Sequence, residues 1–446
     1  MRSSREQRAW YFYDWANSGY VTTTGTVLFG PYLTSVAKEA AGCSGSGACA
    51  ERLHLLGIPI APGSLFFYTI TFATLFSAFL LPVLGAIVDR RGDKRRMLGL
   101  FAWTGAIAAS LMVFVADGRW VLGAILLMIA NLGLGGSLVV YDAILIDIAR
   151  PDDRDRVSSR GWAFGYAGGG LLLILNLVVV MMPGTFGIDT SLAVRLSLLS
   201  AGLWWGAWTI IPFRRIIDRP SHGLPPTADM AFVRGAFGQL FQTLRGLRRY
   251  PQTGLFLAAY LFFNDGVQTV ISSASVYGAE QLGMSQSILI GAIVLVQVVA
   301  LGGALIFGRR AAKHGAIRTI RDSLLVWIVA VAAGYFLPVG GIAPFFAIAA
   351  VFGTVLGGIQ ALSRSLFSQL VPRGREAEYF SLYQACERGT SWLGTLIFGL
   401  VHQWTDSYRP AIVSLIVFFV IGGLLLRKVD VRAGIEAAGN EVPAVV

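Results

Sequence analysis

The sequence of 446 residues predicts an all-α membrane protein of about twelve transmembrane helices, arranged as two pseudo-symmetric six-helix bundles. Three observations predict it. Hydrophobic residues make up 55% and charged residues 14%, with a mean hydropathy of +0.65, outside the range of soluble domains. Apolar runs recur along the chain, each long enough to cross roughly 30 Å of hydrocarbon as a helix. Between them, Lys and Arg gather in loops of one parity.

Taken in order, the first six runs lie near 10–37, 64–88, 97–116, 120–148, 158–182 and 191–213. Residues 214–250 then turn polar, carry Pro220, Pro225 and Pro226 among several Arg, and read as a linker with one surface helix around 229–248. Six more runs follow near 252–279, 285–307, 320–338, 342–371, 379–401 and 410–426, and the tail from Arg427 reads as polar and loose. The predicted organisation is a bundle over 1–213, a linker over 214–250, a bundle over 251–426 and a tail over 427–446. The loop charges place both termini and the linker in the cytoplasm, with the chain in the cell (inner) membrane. No cleavable signal peptide is read, because Arg2, Arg5 and Arg8 lead into a polar-studded span without an Ala-x-Ala site.

Composition also excludes. A net charge of +11 would suit nucleic acid, but the cations sit in short loops rather than along one soluble face, so no nucleic-acid partner is expected. Three Cys are too few for a scaffold or a metal site. Cys43 and Cys49 share a Gly/Ser-rich outer loop and are expected to form a local disulfide, whereas Cys386 falls in an apolar span. No metal, cofactor, ATP-binding motif or nucleophile setting is read, so an enzyme is not expected.

The two halves register by subtraction. Asp14 maps onto Asp265, Gly85 onto Gly308, and Gly135 with Gly136 onto Gly357 with Gly358. Parallel six-helix repeats place a substrate near the midplane between the halves. The most distinctive stretch runs from Gly85 to Arg96, with Asp89, Arg90, Arg91, Gly92, Lys94 and Arg95 between two apolar runs. It reads as a surface turn that serves conformational switching, with Gly92 making the bend; the echo at Gly308 to Arg318 has Ala312 in place of Asp89.

That loop resembles the Gly-x-x-x-Asp-Arg/Lys-x-Gly-x-Arg/Lys-Arg/Lys signature of the major facilitator superfamily, which implies the major facilitator fold. The opening from Tyr11 to Tyr20, followed by Phe29, Gly30, Pro31, Tyr32 and Leu33, resembles the vacuole effluxer family within that superfamily. The resemblance implies transport, because the fungal member of that family exports amino acids from the vacuole during autophagy.

Polar residues inside spans are the candidate site. Asp14, Asn17, Ser18, Thr22 and Gly25 share one face of the first helix at about 100° per residue, and Asp265, Gln268, Thr269 and Ser272 share one face of the seventh. An intramembrane carboxylate must meet a partner, water or a proton, so these stripes are candidates for substrate and proton binding, with a structural reading of both Asp left open. Asp142 and Arg364 register with the 222-residue offset of the paired glycines, which suits a gate; pairing of each within its own half is the alternative. Glu387 and Arg388 are candidates for a structural ion pair. The glycines Gly161, Gly165, Gly168, Gly169 and Gly170 read as helix packing. Trp10, Tyr11, Phe12, Tyr13 and Trp15 read as an interfacial aromatic belt.

These residues predict a secondary active transporter, proton-coupled, that moves a small polar metabolite, amino acids among the candidates, by alternating access. The expected partners are a small-molecule substrate, the lipid bilayer and a coupling proton, for a monomer. A broad efflux pump for amphipathic compounds is the rival within transport, and it predicts an apolar aromatic cavity in place of polar stripes. A membrane enzyme or scaffold is the rival outside it.

Overall fold

The computed structural model describes residues 3–43, 51–55, 57–219, 243–389 and 391–446, with residues 286, 388, 389, 391 and 392 as backbone alone. The chain opens on a capping box. Ser4 accepts from the backbone N–H of Gln7, and the Gln7 side chain accepts from that of Ser4, so α1 (Arg5–Tyr20) starts with its first donors satisfied. It runs through a π-helical stretch (Val21–Leu28) into α2 (Phe29–Ala40) as one crossing. A short antiparallel hairpin, β1 (Leu53–Leu55) with β2 (Ile58–Ile60), interrupts the next loop. The first half is completed by α3 (Leu65–Arg91), α4 (Lys94–Leu111), α5 (Trp120–Ile148), α6 (Arg154–Met181) and α7 (Thr190–Arg215).

The second half repeats the plan. α8 (Pro251–Val276) also passes into a π-helical stretch, Tyr277–Gln281, and is followed by α9 (Gln286–His314), α10 (Ala316–Tyr335) and α11 (Ile342–Leu370). The eleventh crossing is described as α12 (Glu376–Gly389) and α13 (Ser391–Thr405), and the last is built of two pieces, α14 (Tyr408–Ser414) with α15 (Ile416–Arg427). Among the described residues nine helices are long and apolar enough to span a bilayer by length and composition. The other three crossings, Arg5–Ala40, α10 and α12 with α13, are more polar, and two of them carry residues of the site below. Large apolar side chains such as Phe72, Ile107, Leu203 and Val329 stand exposed around the outside, as a lipid-facing surface requires.

Several expectations change. The charged stretch after Gly85 is not all turn: α3 stays helical to Arg91, and the bend is made at Gly92 alone, whose φ of 72° is left-handed. Asp89 is therefore buried on the last turn of a helix and does not lie on a surface loop. The echo behaves likewise, with α9 helical to His314 and the bend at Gly315, φ 85°. The tail is docked rather than loose, since α16 (Val431–Ala437) buries Val431 and Ile435. Trp10, Tyr11 and Tyr13 are buried inside the protein, so they do not form an interfacial belt. The surface helix around 229–248 falls mostly outside the described residues, of which 243–246 are helical. Cys43 is disulfide-bonded and Cys386 is a free thiol, while Cys49 lies outside the described residues.

Glycines set how closely the helices approach. A Cβ at Gly303 of α9 would collide with the Thr354 carbonyl of α11, and one at Gly357 of α11 with the Ala300 carbonyl of α9. Both obstacles are backbone, which cannot swing aside. Gly302, one residue before, has nothing near its missing Cβ. Gly303→Ala should therefore cost about 1–3 kcal/mol through overpacking, whereas Gly302→Ala should leave stability unchanged or raise it. Melting both variants in the same detergent checks this, and equal midpoints would contradict it.

Candidate functional site

The site is built around Arg364, on α11. At about 1.5 Å per residue its Cα lies about 9 Å inside the helix end at Leu370, so its charge is within the span and it is buried. Its partners come from the other half. Nη2 donates to Asp14 Oδ2 of α1 at 3.2 Å, and Nη1 to Asp142 Oδ1 of α5 at 3.4 Å. Nε donates to Ser158 Oγ of α6 at 3.0 Å, and Nη2 also reaches the Ser158 carbonyl at 3.1 Å. Ser158 in turn donates to the Ala361 carbonyl at 2.7 Å. A planar fork with five donors suits this enclosure, where a Lys ammonium would leave acceptors unmet.

Aromatic residues wall the guanidinium. Its Cζ lies 4.8 Å from the ring centre of Trp10, 5.3 Å from Tyr141 and 5.4 Å from Trp162, so the cation sits among π faces. Trp10 and Tyr141 stack at 4.2 Å with planes 10° apart, and the Trp10 Nε1–H donates to the Tyr141 carbonyl. The Tyr141 hydroxyl donates to Asp14 Oδ2 at 2.7 Å. Gly161 makes room for the cluster, since a Cβ there would lie 2.6 Å from Asp14 Oδ2 and 3.1 Å from Arg364 Nη2. Gly165, Gly168 and Gly169 likewise let α6 press against α1.

The network continues through Gln384 of α12. Its amide donates to Asp142 Oδ2 at 2.8 Å and to Glu387 Oε2 at 3.2 Å, tying Glu387 to the cluster. Two carboxylates share one guanidinium, and a third is one amide away. The formal charge of Asp14, Asp142 and Arg364 together is −1, in surroundings that screen it poorly.

Nearer the end of the bundle that holds the termini, a second layer joins the halves. Asp89, at the end of α3, accepts the backbone N–H groups of Ala377 and Glu378 at 2.9 Å each, capping the first turn of α12. Gly85 permits this approach, as a Cβ there would lie 2.5 Å from the Ala377 carbonyl oxygen. Lys94 bonds Asp147 at 2.9 Å and lies 3.9 Å from Glu376. Arg90 is exposed and Gly92 makes the turn, so of this motif Gly85, Asp89 and Lys94 reach the other half. Ser365 donates to Asp155 Oδ1 at 2.5 Å and Arg154 to the Ser368 carbonyl at 2.9 Å, closing the layer.

On the far side of Arg364 a cavity of about 640 Å³ lies between the halves. Ser18, Thr22 and Gly25 line it from the first crossing, and Gln268 and Ser272 from the seventh. Gln297, Trp162, Tyr166, Phe66, Phe67 and Phe352 also line it among many aliphatic residues, and no charged side chain lines it among the described residues.

The predicted stripes are thus divided. Ser18 and Gln268 reach the cavity, whereas Asp14 lies in the charge cluster. Asn17 donates back to the Tyr13 carbonyl of its own helix at 2.7 Å. Asp265 is held within its own half: Oδ2 accepts from the Gly394 N–H at 3.0 Å and Oδ1 lies 3.5 Å from Thr269 Oγ1. Asp14 and Asp265, symmetric in sequence, have different surroundings. Asp142 and Arg364 are brought together across the halves and do not pair within their own. The side chain of Arg388 lies outside the described residues, and Glu387 meets Gln384. Tyr141, Ser158 and Gln384 were passed over in the sequence, and Trp10 was assigned to the membrane interface; Trp10, Tyr141 and Ser158 enclose Arg364, and Gln384 holds its partner Asp142. The position of Tyr141 beside Asp142 and of Ser158 one turn before Trp162 was the available signal.

Comparison with known proteins gives a consistent family. The family described as "Vacuole effluxer Atg22 like" matches residues 2–439. An uncharacterized MFS-type transporter YxiO of Bacillus subtilis (strain 168) is 31% identical over 99% of both chains. Autophagy-related protein 22 of Pyricularia oryzae is 25% identical over 100% of this chain and 78% of that protein. Among solved structures, a bacterial homologue of the iron transporter ferroportin in an outward-facing state superposes with a TM-score of 0.68 at 15% identity, covering 95% of this chain and 99% of that one. The proton:xylose symporter XylE superposes with a TM-score of 0.66 at 12% identity, over 95% and 94%. These structural likenesses establish the fold.

Arg364 is the buried cation for both Asp14 and Asp142, so removing it strands two carboxylates, whereas removing Asp142 takes away one of its two anionic partners. Arg364→Gln and Asp142→Asn should each lower the melting temperature in detergent, and the double variant should lose less than the sum. A coupling of about 0.5–3 kcal/mol is expected, and strictly additive losses would remove the contact from the energetics.

Proposed function

The chain belongs to the vacuole effluxer Atg22-like family of major facilitator membrane transporters, and from that premise we propose that it is a proton-coupled secondary transporter of a small amphipathic metabolite. The observation that carries this reading is the burial of one second-half arginine between two first-half carboxylates beneath a cavity. In this reading the contacts around Arg364 and Asp89 close the cytoplasmic side, and they break as the halves rock to expose the cavity there. Both termini and the linker lie in the cytoplasm of a cell carrying the protein, as a monomer, in its inner membrane.

Coupling follows from the charge count. Two carboxylates and one guanidinium leave one uncompensated negative charge, which a proton on Asp14 or Asp142 would neutralise. Protonation would loosen the hold on Arg364, and release would restore it. Asp14 is the first choice, because it lies one turn from Ser18 on the cavity wall. Asp265, satisfied inside its own half, is given a structural role.

The cavity wall supports a substrate with no net charge and a substantial apolar part, with Ser18, Thr22, Gln268 and Gln297 available to its polar groups. Amino acids with apolar side chains are the first class to test. The aromatic share of the wall also favours a second reading, broad efflux of amphipathic compounds. A thermal-shift screen of both classes separates them, since a ligand that binds the folded state stabilises it.

In proteoliposomes, Asp14→Asn should abolish accumulation driven by a pH gradient while retaining substrate exchange, which needs no net proton movement. Asp265→Asn should keep both activities. Full gradient-driven accumulation by Asp14→Asn would move the proton site to Asp142 or Glu387. Asp89→Asn should slow turnover while leaving ligand affinity within about threefold, under roughly 1 kcal/mol, and a large loss of affinity at unchanged turnover would place Asp89 in the binding site instead.

A further inference from the structure

The last nineteen residues after Arg427 lie against the end of the bundle that carries both termini. Asp430 starts α16 by accepting the Ala433 N–H at 3.0 Å, and its own N–H donates to Gln252 of α8 at 2.9 Å. Gly434 rests on Leu370, the last residue of α11, where a Cβ would lie 2.7 Å from the Leu370 side chain. Beyond α16, the Asn440 amide donates to the carbonyls of Gln369 and Val371 at 2.8 Å each. These carbonyls close α11, which would otherwise end with acceptors unmet. The tail thereby grips the helix that carries Arg364.

It then reaches the other half. The Ala444 N–H donates to Asp152 Oδ1 at 2.7 Å. Asp152 lies in the Pro151–Asp153 turn that joins α5 to α6, the two helices that supply Asp142 and Ser158 to Arg364. Finally Val446 returns to the second half, packing its carbonyl 2.6 Å from the place of a Cβ on Gly315, in the turn between α9 and α10.

We propose that residues 438–446 form an intramolecular clasp that holds the two halves together on this side and restrains its opening. The proposal rests on the alternating-access reading above. Asn440 anchors the clasp to the moving arginine helix, and the Ala444 to Asp152 bond is the part that must break when the halves part. That bond is exposed and single, with a charged acceptor, so the clasp tunes the equilibrium and does not lock it.

The test measures opening directly and needs no substrate. Spin labels placed by Arg96→Cys on the first half and Lys313→Cys on the second, in a Cys386→Ala background, report the separation across this side by pulsed electron resonance in nanodiscs. The full chain should give mainly the short distance. Ending the chain after Gly439 should raise the long-distance population threefold or more. Asp152→Ala, which leaves the tail and its Asn440 anchor intact, should give an increase in the same direction and guards against a tail deletion that merely unfolds α16. Arg364→Gln serves as the control that opens this side by another route. If Arg364→Gln opens it but both clasp variants match the full chain, the clasp is overturned while alternation stands. If no variant shows the long distance, the alternating-access reading fails and the clasp with it.

Discussion

One guanidinium in a membrane interior constrains the rest of this molecule. An arginine cannot be neutralised at any accessible pH, and its donors need acceptors where water is scarce. Arg364 makes four hydrogen bonds, to the hydroxyl and carbonyl of Ser158 and to two carboxylates, all from the half of the protein to which it does not belong. Gly161 of α6 and the stacked pair of Trp10 and Tyr141 build that enclosure. A cluster so placed is also a statement about state. Its partners are complete only while the halves are together on this side.

The cavity and the cluster divide the work that a transporter must do. The cavity wall is uncharged and largely apolar, suited to the apolar part of a solute, whereas the charges are collected below it around Arg364. Trp162 belongs to both regions, lining the cavity and facing the guanidinium. Ser18 lies one turn from Asp14 along α1, so the first crossing connects the two regions through its backbone as well.

Much of the architecture was legible because hydrophobic length and loop charge are read residue by residue. The pairing of Asp142 with Arg364 across the halves was legible because an internal repeat turns sequence offset into spatial symmetry. What the repeat could not reveal is where symmetry breaks: Asp265 matches Asp14 in position, but its partner is a backbone N–H at Gly394, which carries no sequence signature. A helical wheel put Asn17 on the polar face without showing that its amide folds back on Tyr13. The aromatic opening of α1 has the composition of a membrane interface, and only the packing of α5 and α6 around it decides that Trp10 and Tyr13 are inside. The tail misled for a similar reason, because Val431 and Ile435 are too few to register as an apolar run yet suffice to seat one short helix.

The two layers that join the halves differ in what separation leaves behind. Asp89 holds the first turn of α12 by two N–H groups that every helix start leaves open and that water can satisfy as well as a carboxylate. That rim is a wettable seam, whose contacts are exchanged for solvent without leaving any group stranded. The Arg364 enclosure has no such substitute until water floods the whole interior, because its charges are too deep to be hydrated one at a time. In the proposed cycle the halves would part like a door with a soft gasket around a hard bolt: the perimeter gives way first, and passage waits on the centre.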